Sequence, residues 1–427
     1  MNQEFSKNNE LSYNLIKERY LKPLKINPDL FIGIELEFPI VHKEALKTDT
    51  SVSKKLLVYL EKTLELDVLK RDKDGNIVHL KNLQTDDEIL FEVSYNTLEF
   101  AFGKSTSITE IDKRFERYFH IIQNYLADFN HEIRGIGINP QWEINDNRAV
   151  SLPRYEMLIK FLKMGEVQPR FHKYPDYASF ICSSQVQFDV SKENYLTVLN
   201  LFNLLDPVKA YLFPNSPFPK AYPEVTISRD IFWEKSMHGY FKENVGVYPN
   251  LFTAEDEWIN YMLKTAIFYT VRNETIYYFT PIRVKDYLNK DEIVGYDLKG
   301  NSVSIIPKAE DLKYHRSYHY QVLTTRGTVE VRSICTQSFE KTFAPAAFHL
   351  GLLENLSDCE KIILNSFLLT DKKLSFQSGR RYFSQIEIDE NSKKQMLDLA
   401  QKLVTCAKEG LRKRGCGEEI YLDNLNF

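Results

Sequence analysis

The stretch FIGIELEF, Phe31 to Phe38, decides the architecture. Ile32, Ile34, Leu36 and Phe38 alternate with Gly33, Glu35 and Glu37, which is the two-residue period of a β-strand. One face is apolar. The other carries two carboxylates side by side, and like charges at that spacing cost stability unless something positive sits over them.

Three further segments repeat the theme. Glu92 lies in LFEVS and Glu99 follows seven residues later. Seven is odd, so an unbroken strand would turn the two opposite ways; a bend at Tyr95–Thr97 is expected to bring them together. Gln185, Gln187 and Asp189 share a face of SSQVQFDV, and Thr328, Glu330 and Arg332 share a face of TVEVR. Alternation of this kind fits an antiparallel sheet with one polar face better than a buried parallel one. Curled around its polar face, such a sheet makes an open trough. Carboxylates concentrated there call for divalent cations, and oxygen donors favour Mg²⁺ or Mn²⁺. The plain alternative is a sheet with one face in water. Strongly apolar flanks around each polar group argue for central strands instead.

Helices punctuate these strands. NELSYNLIKERYLKPL reads as a helical lead-in before about residue 31, and SVSKKLLVYLEKTLELD as an amphipathic helix on Leu56, Leu57, Leu60 and Leu64. DKDGN, Asp72–Asn76, reads as a hairpin turn. STSITEIDKRFERYFHIIQNYLADF is a long amphipathic helix with Ser105 or Thr106 available as N-cap. EIRGIGINPQW begins as a short strand, LPRYEMLIKFLKMG is a helix, and YASFICSSQVQFDVS reads as one long strand. ENYLTVLNLFNLLDPVKAYLF and WINYMLKTAIFYTV read as helices, and residues from about Lys341 onward as mostly helical. No repeat or flexible linker divides the chain, so one α+β domain over 1–427 is expected, with about 354–427 as a helical C-terminal part.

The 427 residues include 43% hydrophobic ones, 28 Phe and 25 Tyr, enough for a large core. A net charge of −4 gives no basic excess for nucleic acid. No run of 18 apolar residues exists, and MNQEFSKNNE lacks the apolar core of a signal peptide, so no membrane span is expected. Five scattered cysteines without a CxxC pair read as reduced thiols in a cytoplasm. FGKST, Phe102–Thr106, is not a P-loop, because the required glycine five residues before Gly103 is Leu98. RGIGIN lacks the GxGxxG spacing.

Longer motifs then carry a resemblance. GIELEF, FEVSYNTLE, GIGINPQW, PRYEMLIKFL, SQVQFDV, LFPNSPF, SRDIFW, TVEVR and APAAFHLGLL occur in this order between Phe31 and Leu353. The chain resembles the glutamate–cysteine ligases of plants and many bacteria, carboxylate–amine ligases with a glutamine-synthetase-like fold. The resemblance implies that ATP phosphorylates the γ-carboxylate of glutamate and that the amine of cysteine attacks the acyl phosphate, with Mg²⁺ neutralising the crowded anions.

Carried over by motif, Glu35, Glu37, Glu92 and Glu99 match metal-binding acids, Gln185 a metal- or nucleotide-binding residue, and Glu330 a late metal ligand. Arg332 matches an arginine that stabilises the transferring phosphoryl group, a role suited to a planar, permanently charged fork. Arg229 matches an arginine of the substrate pocket, and Arg154 is a second candidate there. Each has an ordinary reading beside this one: Arg332 as the ion-pair partner of Glu330, Arg154 as a surface residue, Trp142 and Trp233 as packing residues, Cys182 and Cys335 as inert core thiols. His172 and His315 are weaker candidates still. Plant-type enzymes read FELSGAPLET where this chain has FEVSYNTLEF, and carry a Gly-Ala-Asp-like stretch where it has SICTQ. Those departures place Tyr95 and Asn96 near the expected site and leave open another amine acceptor. A catalytically inactive binding relative is a further alternative, against which the retention of every candidate acid counts.

Overall fold

Strand β1, Ile32–His42, is the alternating stretch of the sequence and runs through the middle of the main sheet. The computed structural model describes residues 2–370 and 375–425, so 371–374 and 426–427 of the expected helical C-terminal part lie outside the described residues. Around β1 the chain forms α1 (Asn2–Leu21), α2 (Thr50–Leu64), β2 (Asp67–Arg71), β3 (Ile77–Lys81), β4 (Glu88–Phe91), β5 (Thr97–Ala101), α3 (Ile108–Ala127), β6 (His131–Ile133) and α4 (Pro153–Lys163). There follow β7 (Ser184–Asp189), α5 (Tyr195–Leu204), α6 (Asp206–Leu212), α7 (Ser228–Glu234), β8 (Val245–Gly246) and α8 (Glu255–Met262). Next come β9 (Ala266–Arg272), β10 (Thr275–Arg283), α9 (Val284–Tyr287), β11 (Ile293–Tyr296) and β12 (Ser302–Ile305). The chain ends with β13 (Tyr318–His319), β14 (Gln321–Leu323), β15 (Thr328–Val331), α10 (Ala344–Glu354), α11 (Leu356–Leu364), α12 (Phe367–Thr370), α13 (Phe376–Phe383) and α14 (Glu390–Arg414).

Among the described residues nine strands make one antiparallel sheet, in the order β14-β15-β7-β1-β5-β4-β3-β2, with β6 on the far end of β1. Its apolar face is the core. Ile32, Ile34, Leu36 and Phe38 are all buried there. Phe38 stacks on Phe115 of α3 at 5.7 Å and meets Phe100 of β5 edge-on at 6.0 Å. Burying a side chain of this size contributes about 1.5–3 kcal/mol, which fixes the sheet face before any cap is counted. The cap of α3 is Ser107, whose hydroxyl accepts from the Thr109 N–H, and not Ser105 or Thr106. Ser105 is instead bridged through its backbone to Ile32.

Four further expectations are corrected. The interruption in residues 88–102 is a full hairpin between β4 and β5, spanning 92–96, and not a bend within one strand. Only Ser184–Asp189 of the stretch 177–191 is strand; Tyr177–Ser179 is a buried 3₁₀ turn, because an apolar run without alternation does not distinguish the two. Residues 193–213 form two helices, the second restarting at Asp206 with Pro207 in its first turn, where a missing N–H costs nothing. The second half of WINYMLKTAIFYTV is β9, its aromatic and β-branched residues pairing with β10 in a separate four-stranded sheet, β12-β11-β10-β9.

The C-terminal helices join the same core, which runs from Ile16 to Leu425. α10 and α14 cross at Gly351 and Gly410; a Cβ on Gly410 would lie 2.0 Å from the Gly351 carbonyl oxygen. Among the described residues no helix is long and apolar enough to cross a membrane.

Candidate functional site

Register builds the site. Glu37 of β1 lies opposite Glu99 of β5, Glu99 opposite Leu90 of β4, and Leu90 opposite His79 of β3. One step along, Gln185 lies opposite Glu35, and Glu35 opposite Ala101. Glu330 of β15 lies opposite Gln187 of β7. Directly paired residues share a face, so these groups all point to the side away from the Phe38 core. The β4–β5 hairpin solves the parity problem of Glu92 and Glu99. Leu90 pairs with Glu99, and Glu92, two residues beyond Leu90, therefore shares its face. Val93, next in the turn, sits at φ 58. A β-branched residue in that region is strained.

Glu35, Glu37, Glu92, Glu99, Gln185, Glu330, Arg332, Arg229 and Arg154 all line one cavity of about 390 Å³. The acids are held individually. Glu37 accepts from the Ser183 N–H at 2.7 Å and from Gln185 Nε2 at 3.1 Å. Glu35 accepts from Gln187 Nε2 at 3.0 Å, and Glu92 from the Tyr155 hydroxyl at 2.6 Å.

Their electrostatics are those of a site short of positive charge. Burial pushes Glu35 up to about 7, with repulsion from Glu330 adding to it and Arg332, Arg326 and Arg316 opposing. Burial, then Glu92, pushes Glu37 up to about 7, against the pull of Arg229. Glu99 stands well above its ordinary value through burial and the charges of Glu92, Glu35 and Glu37.

Arg332 does form the ion pair with Glu330, at 2.7 Å, and both line the cavity. Arg229, on the α7 turn of SRDIFW, is buried; its Nη1 donates to the Ile334 carbonyl at 3.0 Å and its Nε has no protein partner. Arg154, in the first turn of α4, is exposed yet reaches the cavity wall.

Other cavity residues escaped the sequence reading. Lys70 and Glu88 come from β2 and β4, whose polar face shows only once the strands are paired. Arg326 enters from the β14–β15 turn, where Gly327 sits at φ 77. Arg316, Trp233 and Tyr318 form another part of the wall, Trp233 stacking on Tyr318 at 5.3 Å. For Arg326 the signal was available: an Arg-Gly turn leading into TVEVR. The histidines of the cavity wall are His79, His238 and His319; His315 is bound by Tyr20 and Thr265 in the core, and His172 by the Phe232 carbonyl. Trp142 packs on Phe180 and Phe218. Cys182 and Cys335 are buried, and burial raises the Cys182 thiol well above its ordinary value. Tyr95 and Asn96 turn away from the cavity. The Tyr95 ring meets Phe91 and its hydroxyl donates to Asp72, while Asn96 donates to the Asp146 carbonyl. Of SICTQ only Ser333 reaches the cavity wall.

Among the described residues no three His, Cys, Asp or Glu side chains converge on one point closely enough to hold a metal ion as they stand. The donor chemistry nonetheless fits a hard cation. Every candidate ligand is an oxygen donor, and the buried Oε1 of Gln185 has no hydrogen-bond partner. A cation would also offset the mutual repulsion that adds to burial in raising Glu35, Glu37 and Glu99 above their ordinary values.

Comparison with known proteins gives the family. Two curated relatives, the chloroplastic glutamate–cysteine ligases of Solanum lycopersicum and Nicotiana tabacum, are each 22% identical over 68% of this chain. The chain spans about half the length of these relatives, 53% of each. Among solved structures, glutamate–cysteine ligase from Francisella tularensis in complex with AMP superposes at a TM-score of 0.39 and 13% identity, covering 94% of this chain and 83% of that one. A bifunctional glutathione synthetase from Pasteurella multocida superposes at 0.36 and 10% identity, covering 97% and 50%. The family model of glutamate-cysteine ligase family 2 matches residues 31–382, a span holding every candidate residue named above, and the chain belongs to that family.

Proposed function

We propose that the protein is an ATP- and Mg²⁺-dependent ligase joining the γ-carboxylate of L-glutamate to the amine of L-cysteine, giving γ-glutamylcysteine, ADP and phosphate. The observation that carries this reading is the single cavity in which a row of carboxylates faces arginines from β15, α7 and α4. The antiparallel sheet, helices behind and trough in front, is read as glutamine-synthetase-like, with 1–427 as one catalytic domain. Five free cysteines support the expected reducing, cytoplasmic setting.

The chemistry assigns roles. A γ-carboxylate oxygen of glutamate attacks the γ-phosphorus of ATP, and the bond to the ADP oxygen breaks. The cysteine nitrogen then attacks the acyl carbon and loses a proton, and phosphate leaves with the C–O electron pair. Arg332, released from Glu330 by the arriving anion, presents its fork to the transferring phosphoryl oxygens. Arg229 binds a substrate carboxylate, with Arg154 at the rim beside it. Glu35, Glu37, Glu92, Glu99, Glu330 and Gln185 would hold Mg²⁺, or Mn²⁺, whose charge neutralises the phosphates when bound. Tyr155, by donating to Glu92, orients that carboxylate.

The test is ADP release with Mg²⁺-ATP and glutamate, with and without cysteine, followed by mass analysis of the product. Cysteine-dependent turnover giving γ-glutamylcysteine supports the proposal. Turnover only with another amine keeps the site and changes the acceptor. Nucleotide binding without turnover on any acceptor makes the protein a binding relative.

A further inference from the structure

The arginines of the cavity differ in how they are held. Arg332 is paired with Glu330, Arg326 donates to Gln187 at 2.6 Å, and Arg229 donates to a backbone carbonyl. Arg316 lines the same cavity and has no hydrogen bond or ion pair to any described residue. A guanidinium carries five donors and no acceptor, so its donors remain free for a ligand.

The backbone beneath Arg316 is fixed from behind. His315 is buried, with Nδ1 bonded to the Tyr20 hydroxyl at 3.0 Å and Nε2 to the Thr265 hydroxyl at 2.6 Å. Its carbonyl accepts from the same Tyr20 hydroxyl at 3.3 Å. His315 has extended backbone, φ −59 and ψ 131. Successive side chains of an extended segment point opposite ways, so anchoring His315 in the core aims Arg316 into the cavity. There its Cζ lies 6.0 Å from the centre of the Tyr318 ring.

The neighbours of Arg316 decide what it would bind. Its charge acts on Glu330 and Glu35. Arg332 and Arg326 act on Glu35 as well, whereas Arg229 acts on Glu37. Arg332 is paired with Glu330, and Arg326 holds Gln187, which faces Glu330 across the ladder and donates to Glu35. Arg316 therefore shares this part of the cavity with two other guanidiniums, while Arg229 and Arg154 line the same cavity from α7 and α4. A substrate carboxylate carries one charge and is met by one arginine; a nucleoside polyphosphate carries several and needs more than one.

We propose that Arg316 is a second phosphate-contacting residue of this site, donating to non-bridging oxygens of the nucleotide's terminal phosphates beside Arg332. The inference rests on the nucleotide reading given under Proposed function. Because Arg316 makes no hydrogen bond or ion pair to a described residue and only a 6.0 Å approach to the Tyr318 ring, its removal is expected to leave the fold intact.

Binding of an unhydrolysable ATP analogue, ADP and AMP, each with Mg²⁺, to full-length wild type, Arg316→Met and Arg316→Lys is the test. Arg316→Met is expected to bind the ATP analogue at least tenfold more weakly and AMP within twofold of wild type, with an unchanged melting temperature. Arg316→Lys recovers part of the loss. Wild-type binding that Arg316→Met leaves unaltered overturns this inference alone. A raised KM for glutamate with unchanged nucleotide affinity also overturns it and moves Arg316 to a substrate carboxylate. Failure of wild type to bind any of the three nucleotides overturns the proposed function together with this inference.

Discussion

Arg380 grips Asp230 through two parallel hydrogen bonds, Nε to Oδ2 at 2.7 Å and Nη2 to Oδ1 at 3.1 Å, across 150 positions of sequence. Asp230 follows Arg229 and lines the cavity. Arg380 also meets Asp206 at 3.1 Å and the Ser333 carbonyl at 3.1 Å. One side chain of α13 thus ties α7 to the segment after β15, which gives the motif-free C-terminal part a place in the site.

Removing Arg380 strands the buried Asp230 and leaves Asp206 with Lys209 as its remaining ion-pair partner. Arg380→Met is expected to cost about 3–5 kcal/mol, the usual cost of leaving a buried charge unpaired. Arg381, paired with Glu234 in a half-exposed position, is expected to cost about 1 kcal/mol or less on substitution by Met. Urea unfolding of both variants measures the difference. Equal losses would contradict the buried network.

Glu330→Gln and Arg332→Ala are expected to lower ADP release by about a thousandfold, in line with the loss of a charge-stabilising arginine in phosphoryl transfer. Circular dichroism and melting are expected to show an intact fold. If unfolding accompanies the loss of activity, the pair is structural.

The raised carboxyl groups make a prediction with a definite sign. Glu35 and Glu37 titrate at about 7 in the folded, metal-free protein against an ordinary 4.5. Their protonated forms contribute stability that is fully present below about 4.5 and lost as pH rises through 7. His238, His315, His319 and His349, held near 3 by burial, act in the other direction, with stability lost as pH falls from 6.5 toward 3. The carboxyl contribution is isolated by difference. In EDTA, the melting temperature of Glu35→Gln/Glu37→Gln relative to wild type is expected to climb between pH 5 and 7.5. A flat difference would show that the two carboxyls ionise normally.

Tyr95 was expected near the reacting groups, and the fold turns it outward to Phe91 and Asp72. Tyr95→Phe is therefore expected to cost about 1 kcal/mol, the net worth of one hydrogen bond, and to leave the preference among amine acceptors unchanged. A panel of acceptors assayed for ADP release checks this. A shifted preference would place the 92–96 turn back in the acceptor pocket.

Within single strands the site was legible. The side-chain period of two fixed which of Glu35, Glu37, Gln185, Gln187, Glu330 and Arg332 share a face, because that relation depends only on the local backbone. The same locality explains the misreadings. IFYTV of β9 follows a helix directly, and nothing within the segment shows that β10 waits to pair with it.

The amino-acid sequence by itself determined the polar and apolar faces of the strands that carry Glu35, Gln185 and Glu330, and through its longer motifs the family. Only the tertiary structure decided which strands are neighbours and in what register, that Glu92 and Glu99 meet across a hairpin, and that Lys70, Arg316, Arg326 and Trp233 complete the cavity. The physical reason is range. Alternation is set by adjacent peptide units, whereas register and loop placement are set by burying one continuous apolar face, which is a property of the whole chain.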